Sequence, residues 1–158
     1  MSDERKKIKI TKVLSYITRN KNAQPQLLVF EHESIPEAGI QVPAGTVDKD
    51  ELLEEAILRE VEEEVGLQDV KIKCKLISLN YFHKKRKKYH QRNYFWLETK
   101  EHLPDIFTHK VTAGEEDKNM KFKFFWISIA EAEKNLADDQ GQALGLLQSL
   151  LINHSNIK

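Results

Sequence analysis

Residues 45–67 read GTVDKDELLEEAILREVEEEVGL, and this segment is the most informative part of the sequence. The part from Asp50 to Val65 is rich in Leu, Glu, Ala and Arg, which are strong helix formers. Gly66 follows directly, and glycine is common at the position just after the last residue of a helix. Asp48, with Glu51 three residues later, resembles a capping box that has Asp in place of Ser or Thr. The pattern therefore predicts an α-helix over Asp50–Val65.

This helix carries acidic residues where a buried stripe should be apolar. Steps of three and four residues from Leu53 pass through Glu60 and Glu63 to Leu67, and Glu64 lies one turn after Glu60. Three carboxylates within one turn repel each other unless something compensates their charge. A divalent cation would do so, because Mg²⁺ and Mn²⁺ prefer oxygen ligands. The alternative is a solvated acidic face, with the core contact made by a second stripe of Leu53, Ile57, Val61 and Val65.

The loop before the helix favours the metal-site interpretation. Residues 42–46 read VPAGT, and Gly45 allows the backbone to come close to another backbone or to a phosphate. Arg59 lies four residues after Glu55 and four before Glu63, so it can pair with both and hold a carboxylate in one rotamer. A turn glycine, an orienting arginine and three stacked carboxylates together indicate a metal–diphosphate site.

The same stretch resembles the signature of the Nudix hydrolase family. Gly45, Glu51, Arg59-Glu60-Val61, Glu63-Glu64 and Gly66-Leu67 fill every fixed position of the Nudix box, and every gap has the right length. The resemblance implies an α+β protein, an α/β/α sandwich around a mixed β-sheet. It also implies a pyrophosphohydrolase that cleaves the diphosphate linkage of a nucleoside diphosphate derivative.

The resemblance further implies a role for each box residue. Glu60, Glu63 and Glu64 match the carboxylates that bind Mg²⁺ or Mn²⁺. Arg59 and Glu51 match residues that organise the loop–helix–loop, in which Gly45 and Gly66 are structural. The general base varies within the family, so Glu63, Glu64 or a glutamate from a later loop could take the proton from water.

Two glutamates are candidates for that later position. Glu115 and Glu116 follow Gly114 in a polar loop before an aromatic-rich strand. The alternative interpretation is an ordinary acidic surface loop, and the two readings are about level.

A basic run lies between two predicted strands and is interpreted as a hairpin loop. It extends from His83 to His90 and is followed by Arg92. Lys84, Arg86 and Arg92 are the candidates to contact substrate phosphates, against the commoner case of a solvated loop. Action on the 5′ end of RNA would also use this run, but it ranks behind a small nucleotide substrate.

The rest of the chain predicts a soluble α+β domain. The 158 residues hold 25 basic and 25 acidic side chains and one cysteine, Cys74, which is expected to be buried. This balance argues against a dedicated nucleic-acid binder and excludes an internal disulfide. Scattered histidines, among them His32, His102, His109 and His154, are expected to be incidental. Strands are predicted over residues 8–18, 27–30, 40–42, 70–82, 93–97 and 121–127, and helices over 128–136 and 142–152.

These features favour one Nudix hydrolase domain over residues 1–158. The absence of an apolar run of about 20 residues argues against a membrane span, so a cytoplasmic location is expected. A homodimer and the identity of the nucleotide stay open. The rival function is a Nudix-fold sensor that binds a nucleotide without turning it over. It ranks second because such modules usually lose box carboxylates, and this chain has all of them.

Overall fold

A mixed β-sheet carries three α-helices in the computed structural model, which describes residues 9–114 and 118–156. The strands are β1 Lys9–Lys21, β2 Gln24–His32, β3 Ala44–Thr46, β4 Val70–His83, β5 Lys88–Thr99, β6 Ile106–Lys110 and β7 Lys121–Ser128. The helices are α1 Leu53–Val65, α2 Ile129–Asn135 and α3 Leu144–Asn156, with short 3₁₀ turns at Pro36–Ala38 and Ala137–Asp139.

Strand β1 organises the sheet, whose order is β4-β5-β1-β2-β7-β6. Its first part pairs in parallel with β5 from Lys9 to Ile17, and on its other side it pairs with the short strand β3. Its last part forms an antiparallel hairpin with β2. Asn22 and Ala23 at the hairpin tip both have positive φ, as tight two-residue hairpin turns require. Strand β3, which leads to the box helix, is thereby fixed beside the centre of the sheet.

Apolar side chains pack on both faces of the sheet, so the chain is an α/β/α sandwich as predicted. On one face Val13 and Ile17 pack in a cluster with Ile57 and Val61 of α1. On the other face Leu14 and Tyr16 pack with residues of α2 and α3. Alternate residues of β1 thus serve opposite cores, because successive side chains in a strand point to opposite faces.

Helix α1 begins three residues later than predicted. Asp50 has a left-handed backbone, with φ of 66°, and the helix starts at Leu53 after Leu52. Glu51 still accepts a hydrogen bond from the Asp48 N–H at 2.9 Å, but within the loop. At the helix itself, the Glu55 carboxylate accepts from the Leu52 N–H at 2.9 Å. Of the predicted capping box only the bond to the Glu51 side chain forms, and it closes a turn before the helix, while the Glu51 N–H donates to the Asp48 carbonyl.

Other boundaries differ in ways that follow from pairing. Ile40 and Gln41 form isolated bridges instead of a strand over 40–42, and β5 runs from Lys88 to Thr99 where 93–97 was predicted. Strand β6 was not predicted, and it pairs with β7 at the edge of the sheet. Cys74 is only half-buried, because β4 is the other edge strand. Ser128 caps α2 as expected, accepting from the Glu131 N–H.

Within the part of the chain that the structure describes, no helix combines the length and apolar character needed to cross a membrane.

The end of α1 should depend on a glycine at position 66. Gly66 has φ of +83°, and a Cβ there would lie 2.8 Å from the His109 ring. Gly66→Ala should lower the free energy of unfolding by about 1–3 kcal/mol, because both the backbone and the ring must adjust. Denaturant unfolding measures this change.

Gly145→Ala is the matched control. Gly145 lies in α3, and a Cβ there meets no atom within 4 Å. Alanine should leave stability unchanged or raise it by up to about 1 kcal/mol, because alanine favours helix. Equal stability of the two variants would show that the close approach at Gly66 carries no strain.

Candidate active site

The Glu60 carboxylate lies directly against the backbone of Gly45. A Cβ built on Gly45 would lie 1.9 Å from Glu60 Cδ, so no other residue fits at position 45 without displacing that carboxylate. Gly45 is held in β3 opposite Val13 of β1, and Glu60 comes from the middle of α1. The glycine of the predicted site is therefore needed for a close approach between loop and helix.

Arg59 joins the loop to three carboxylates. Its Nε and Nη2 atoms donate to the two oxygens of Glu51 at 2.7 and 2.8 Å, a two-pronged ion pair. Its Nη1 lies 2.9 Å from Glu60 and 3.3 Å from Glu63, and Nη2 also donates to the Thr46 carbonyl at 3.0 Å. The hydrogen bonds from Arg59 lower the pKa of Glu51 to about 2. Glu55, the other predicted partner of Arg59, instead accepts the backbone bond at the start of the helix.

Two of the box carboxylates are buried. Glu60 is 8% exposed and Glu64 is 4% exposed. Burial raises the pKa of Glu60 to about 7, although the charge of Arg59 acts in the opposite direction. Glu64 accepts a hydrogen bond from the Ala44 N–H at 2.9 Å, which ties it to the same loop. Carboxylates held this way are poorly hydrated and therefore attract cations strongly.

An outer cavity of about 530 Å³ collects these groups. Glu60, Glu63 and Glu64 line one wall, with Lys12 of β1 and Arg86 of the β4–β5 hairpin also in the lining. The donor set fits a hard divalent cation, since all three candidate ligands are carboxylates. Among the described residues, no three acidic, histidine or cysteine side chains already converge as metal ligands, and the Arg59 guanidinium reaches both Glu60 and Glu63.

An inner cavity of about 370 Å³ adjoins the outer one. Both cavities include Lys12, Ala44, Glu64 and Arg86 in their linings. The inner one is also lined by Phe30 and Phe122, whose rings stack at 4.1 Å between centroids. The cleft therefore has a carboxylate end and an aromatic end, with two cations at their junction.

The three candidate phosphate contacts occupy different environments. Arg86 lines both cavities, whereas Lys84 is exposed at the hairpin tip and lines neither. Arg92 lines the inner cavity but is buried, with its guanidinium 3.7 Å from the centroid of the Tyr81 ring. Arg92 also donates to the Asp138 carbonyl at 2.7 Å. The structure thus brings Arg86 to the carboxylates and places Arg92, buried, in the wall of the inner cavity.

Glu115 and Glu116 lie outside the described residues. The residues just before them, Ala113 and Gly114, line the outer cavity. Thr112 N–H donates to the Glu63 carbonyl at 3.2 Å, which anchors this segment to the end of α1.

His109, expected from the sequence to be incidental, supports the candidate site. Its Nε2 lies 3.2 Å from the Glu63 carbonyl oxygen, and its ring packs against Gly66. His109 and Gly66 are 43 residues apart in the sequence, and they meet because β6, which carries His109, pairs with β7 and lies beside α1. No local sequence pattern could have revealed this contact.

Comparison with known proteins finds the same fold in several solved structures. The chain is similar in structure to an Ap4A hydrolase of C. elegans in a binary complex, with 21% identity over 91% of this chain and 98% of that chain and a TM-score of 0.68. It is also similar to the NUDIX domain of Shewanella oneidensis NrtR complexed with ADP ribose, with 16% identity over 94% and 92% of the two chains and a TM-score of 0.66. A dihydroneopterin triphosphate pyrophosphohydrolase of E. coli shares 16% identity over 87% and 95%, with a TM-score of 0.60. These likenesses show a common fold.

A search of curated protein sequences finds no significant match. The NUDIX domain profile, by contrast, matches residues 10–147, which include the box, both cavities and all the strands except the first residue of β1. The chain belongs to the NUDIX domain family, and it is a hydrolase of phosphoanhydride bonds.

Proposed function

We propose that the chain is a Mg²⁺-dependent pyrophosphohydrolase, also able to use Mn²⁺, that cleaves the diphosphate linkage of a small nucleoside diphosphate derivative. The observation that carries this proposal is the wall of three carboxylates, Glu60, Glu63 and Glu64, in the outer cavity. Lys12 and Arg86 in the same lining give that cavity both an acidic and a basic side. Such a cavity suits a metal-bound diphosphate, in which cations and anions alternate.

The three carboxylates would hold the metal. Two of them are buried and the third, Glu63, is half-buried, so they offer oxygen ligands with little competing water. A bound Mg²⁺ supplies charge neutralisation at the phosphate oxygens and a lowered pKa of a bound water. Burial raises the pKa of Glu60, so a cation bound beside it would favour its charged form.

The surrounding residues orient the ligands. The fork between Arg59 and Glu51 fixes the guanidinium, and the remaining Arg59 nitrogen holds Glu60 and Glu63 on the cavity side of the helix. Ala44 holds Glu64 through its backbone N–H. Lys12 and Arg86 would bind the phosphate oxygens at the junction of the two cavities, because phosphate binds strongly to paired cations.

The general base is proposed from two sources. Glu63 and Glu64 already line the outer cavity, and either can accept a proton from the attacking water. Glu115 or Glu116 is the alternative, supported by Ala113 and Gly114 in the lining immediately before them.

A nucleotide sensor is the second candidate. The NUDIX domain of Shewanella oneidensis NrtR was crystallised in complex with ADP ribose, which shows that a NUDIX domain can hold a nucleotide ligand. The complete carboxylate set favours turnover, because a binding module needs no base. Action on an RNA 5′ end and a homodimer remain further proposals; the exposed Lys84 beside Arg86 is the feature that would favour RNA.

Hydrolysis of a substrate panel tests the proposed activity. The panel contains nucleoside triphosphates, ADP-ribose, nucleotide sugars, dinucleoside polyphosphates and 5′-triphosphorylated RNA, each with Mg²⁺, Mn²⁺ or chelator. We expect metal-dependent release of a phosphorylated product from one small-nucleotide class. Binding of a nucleotide without turnover across the panel would favour the sensor instead.

Removing one site carboxylate should abolish turnover without unfolding the protein. Glu63→Gln and Glu64→Gln should each lower kcat by about 100-fold or more, because each removes a metal ligand or the base. Circular dichroism checks the fold. Glu54→Gln is the matched control, since Glu54 is exposed on the same helix and lines neither cavity. Loss of activity in the control as well would contradict the assignment.

Metal binding should be visible without substrate. Saturating Mg²⁺ should raise the Tm of the wild-type protein by several degrees, because a ligand that binds only the folded state stabilises it. Glu60→Gln should reduce this shift, whereas Glu54→Gln should retain it. A metal-induced shift that is equal in both variants would place the metal elsewhere.

A further inference from the structure

One backbone carbonyl in the last turn of α1 is held from outside the helix by two donors. The Glu63 carbonyl oxygen lies 3.2 Å from His109 Nε2 and accepts from the Thr112 N–H, also at 3.2 Å. The last carbonyls of a helix find no partner within the helix itself. A carbonyl oxygen has two lone pairs, so His109 and Thr112 together satisfy the backbone of one candidate metal ligand.

The contact also identifies the hydrogen that the His109 ring must carry. A carbonyl oxygen can only accept, so Nε2 is the donor and bears the hydrogen. Another part of the ring lies against Gly66, where a Cβ would be 2.8 Å from Cε1 and 2.9 Å from Nδ1. The bare backbone at Gly66 therefore leaves the space through which the imidazole reaches the Glu63 carbonyl.

Strand β6 fixes the imidazole at this position. Phe107 lies two residues before His109 on the same face of the strand, and its ring stacks on Phe124 with 5.0 Å between centroids. Just after the strand, the Val111 N–H donates to the Met120 carbonyl at 2.8 Å. Because the strand is anchored on both sides of His109, the ring can hold the end of α1 in place.

The Glu63 carboxylate has the longest of the side-chain contacts that hold the three box carboxylates. Arg59 Nη1 lies 2.9 Å from Glu60 but 3.3 Å from each oxygen of Glu63. Glu64 accepts from the Ala44 N–H at 2.9 Å. The direction of the Glu63 carboxylate therefore depends more on where its own backbone is held.

His109 lines neither the outer nor the inner cavity, so it acts on the site through Glu63. We propose that His109 is a positioning residue, whose Nε2–H holds the Glu63 backbone and thereby orients the Glu63 carboxylate for the metal. The inference rests on the proposed function, in which Glu63 is a metal ligand. Removing a group that orients a metal ligand weakens metal binding.

Direct titration with Mn²⁺, in the absence of substrate, tests this proposal. His109→Gln and His109→Met introduce side chains of similar size and shape, and only glutamine keeps an N–H donor. We expect His109→Met to raise the Kd for Mn²⁺ about 3- to 10-fold, as loss of one hydrogen bond predicts, and His109→Gln to stay within about 2-fold of the wild type. Equal Mn²⁺ affinity of His109→Gln and His109→Met would overturn the proposal.

Thermal unfolding separates this role from a purely structural one. Both exchanges remove the ring that packs against Gly66, so both should lower the Tm. Calorimetry well below either Tm then measures the affinity of the folded site. His102→Met, the same exchange at an exposed position outside both cavities, is the control and should keep the wild-type Kd.

A double-mutant cycle tests whether His109 acts through Glu63. Glu63→Gln alone should weaken Mn²⁺ binding, and adding His109→Met should weaken it no further, because the ligand that the imidazole orients is already lost. On a Glu60→Gln background, His109→Met should retain its full effect. An equal further loss on both backgrounds would overturn the proposal, since His109 would then act by another route.

The wild-type protein alone provides a test that needs no variant. Nitrogen-15 NMR of the imidazole side chains reports which ring nitrogens carry hydrogen, and we expect hydrogen on Nε2 of His109. A ring that carries hydrogen on Nδ1 alone would overturn the proposal, because its Nε2 could not donate to the Glu63 carbonyl.

Failure of the inference and failure of the proposed function give different results. Mn²⁺ binding that is weakened by Glu63→Gln but unchanged in both His109 variants would overturn the positioning role alone. No Mn²⁺ binding by the wild-type protein would overturn the metal site of the proposed function, and the positioning role with it.

Discussion

The arrangement of the active site depends on one contact, that of the Glu60 carboxylate with the backbone of Gly45. A carboxylate that is 8% exposed loses most of its hydration, which is costly unless a cation and hydrogen bonds compensate. Arg59 provides both, and the same guanidinium holds Glu51 and the Thr46 carbonyl. One arginine thus fastens the loop before the helix to the acidic face of the helix. The acidic stripe faces the protein because this network satisfies it.

Local chemistry explains which parts of the fold the sequence could predict. The end of α1 at Gly66 and the start of α2 at Ser128 depend on single residues with strong preferences, and both are confirmed. The start of α1 was predicted too early, although the Asp48–Glu51 pair does form. The left-handed backbone of Asp50 separates that pair from the helix, and Asp accepts this conformation more readily than most residues do. Sequence spacing identified the interacting groups but not the element they close.

Contacts between distant segments explain what the sequence could not predict. His32 meets Phe122 only through the register of β2 with β7, and His109 meets Gly66 only through the edge strand β6. Strand β6 itself has a short and weakly apolar sequence, and its pairing with β7 supplies the order that its own residues do not. The box could be recognised because its residues lie on one turn–helix segment. The inner cavity could not, because segments that are far apart in the sequence build it.

The two cavities differ in how many segments of the chain build them. The outer cavity takes its carboxylates from one helix, so its chemistry follows from the box and is shared with other chains that carry it. The inner cavity takes its walls from many segments, among them β1, β2, β5, β7, the β4–β5 hairpin and the turn at Ala137–Asp139, and Glu64 is the box residue in its lining. Glu64 lines both cavities, so it connects the carboxylate end of the cleft to the aromatic end. The two cavities therefore share few residues, and those that line both are Lys12, Ala44, Glu64 and Arg86.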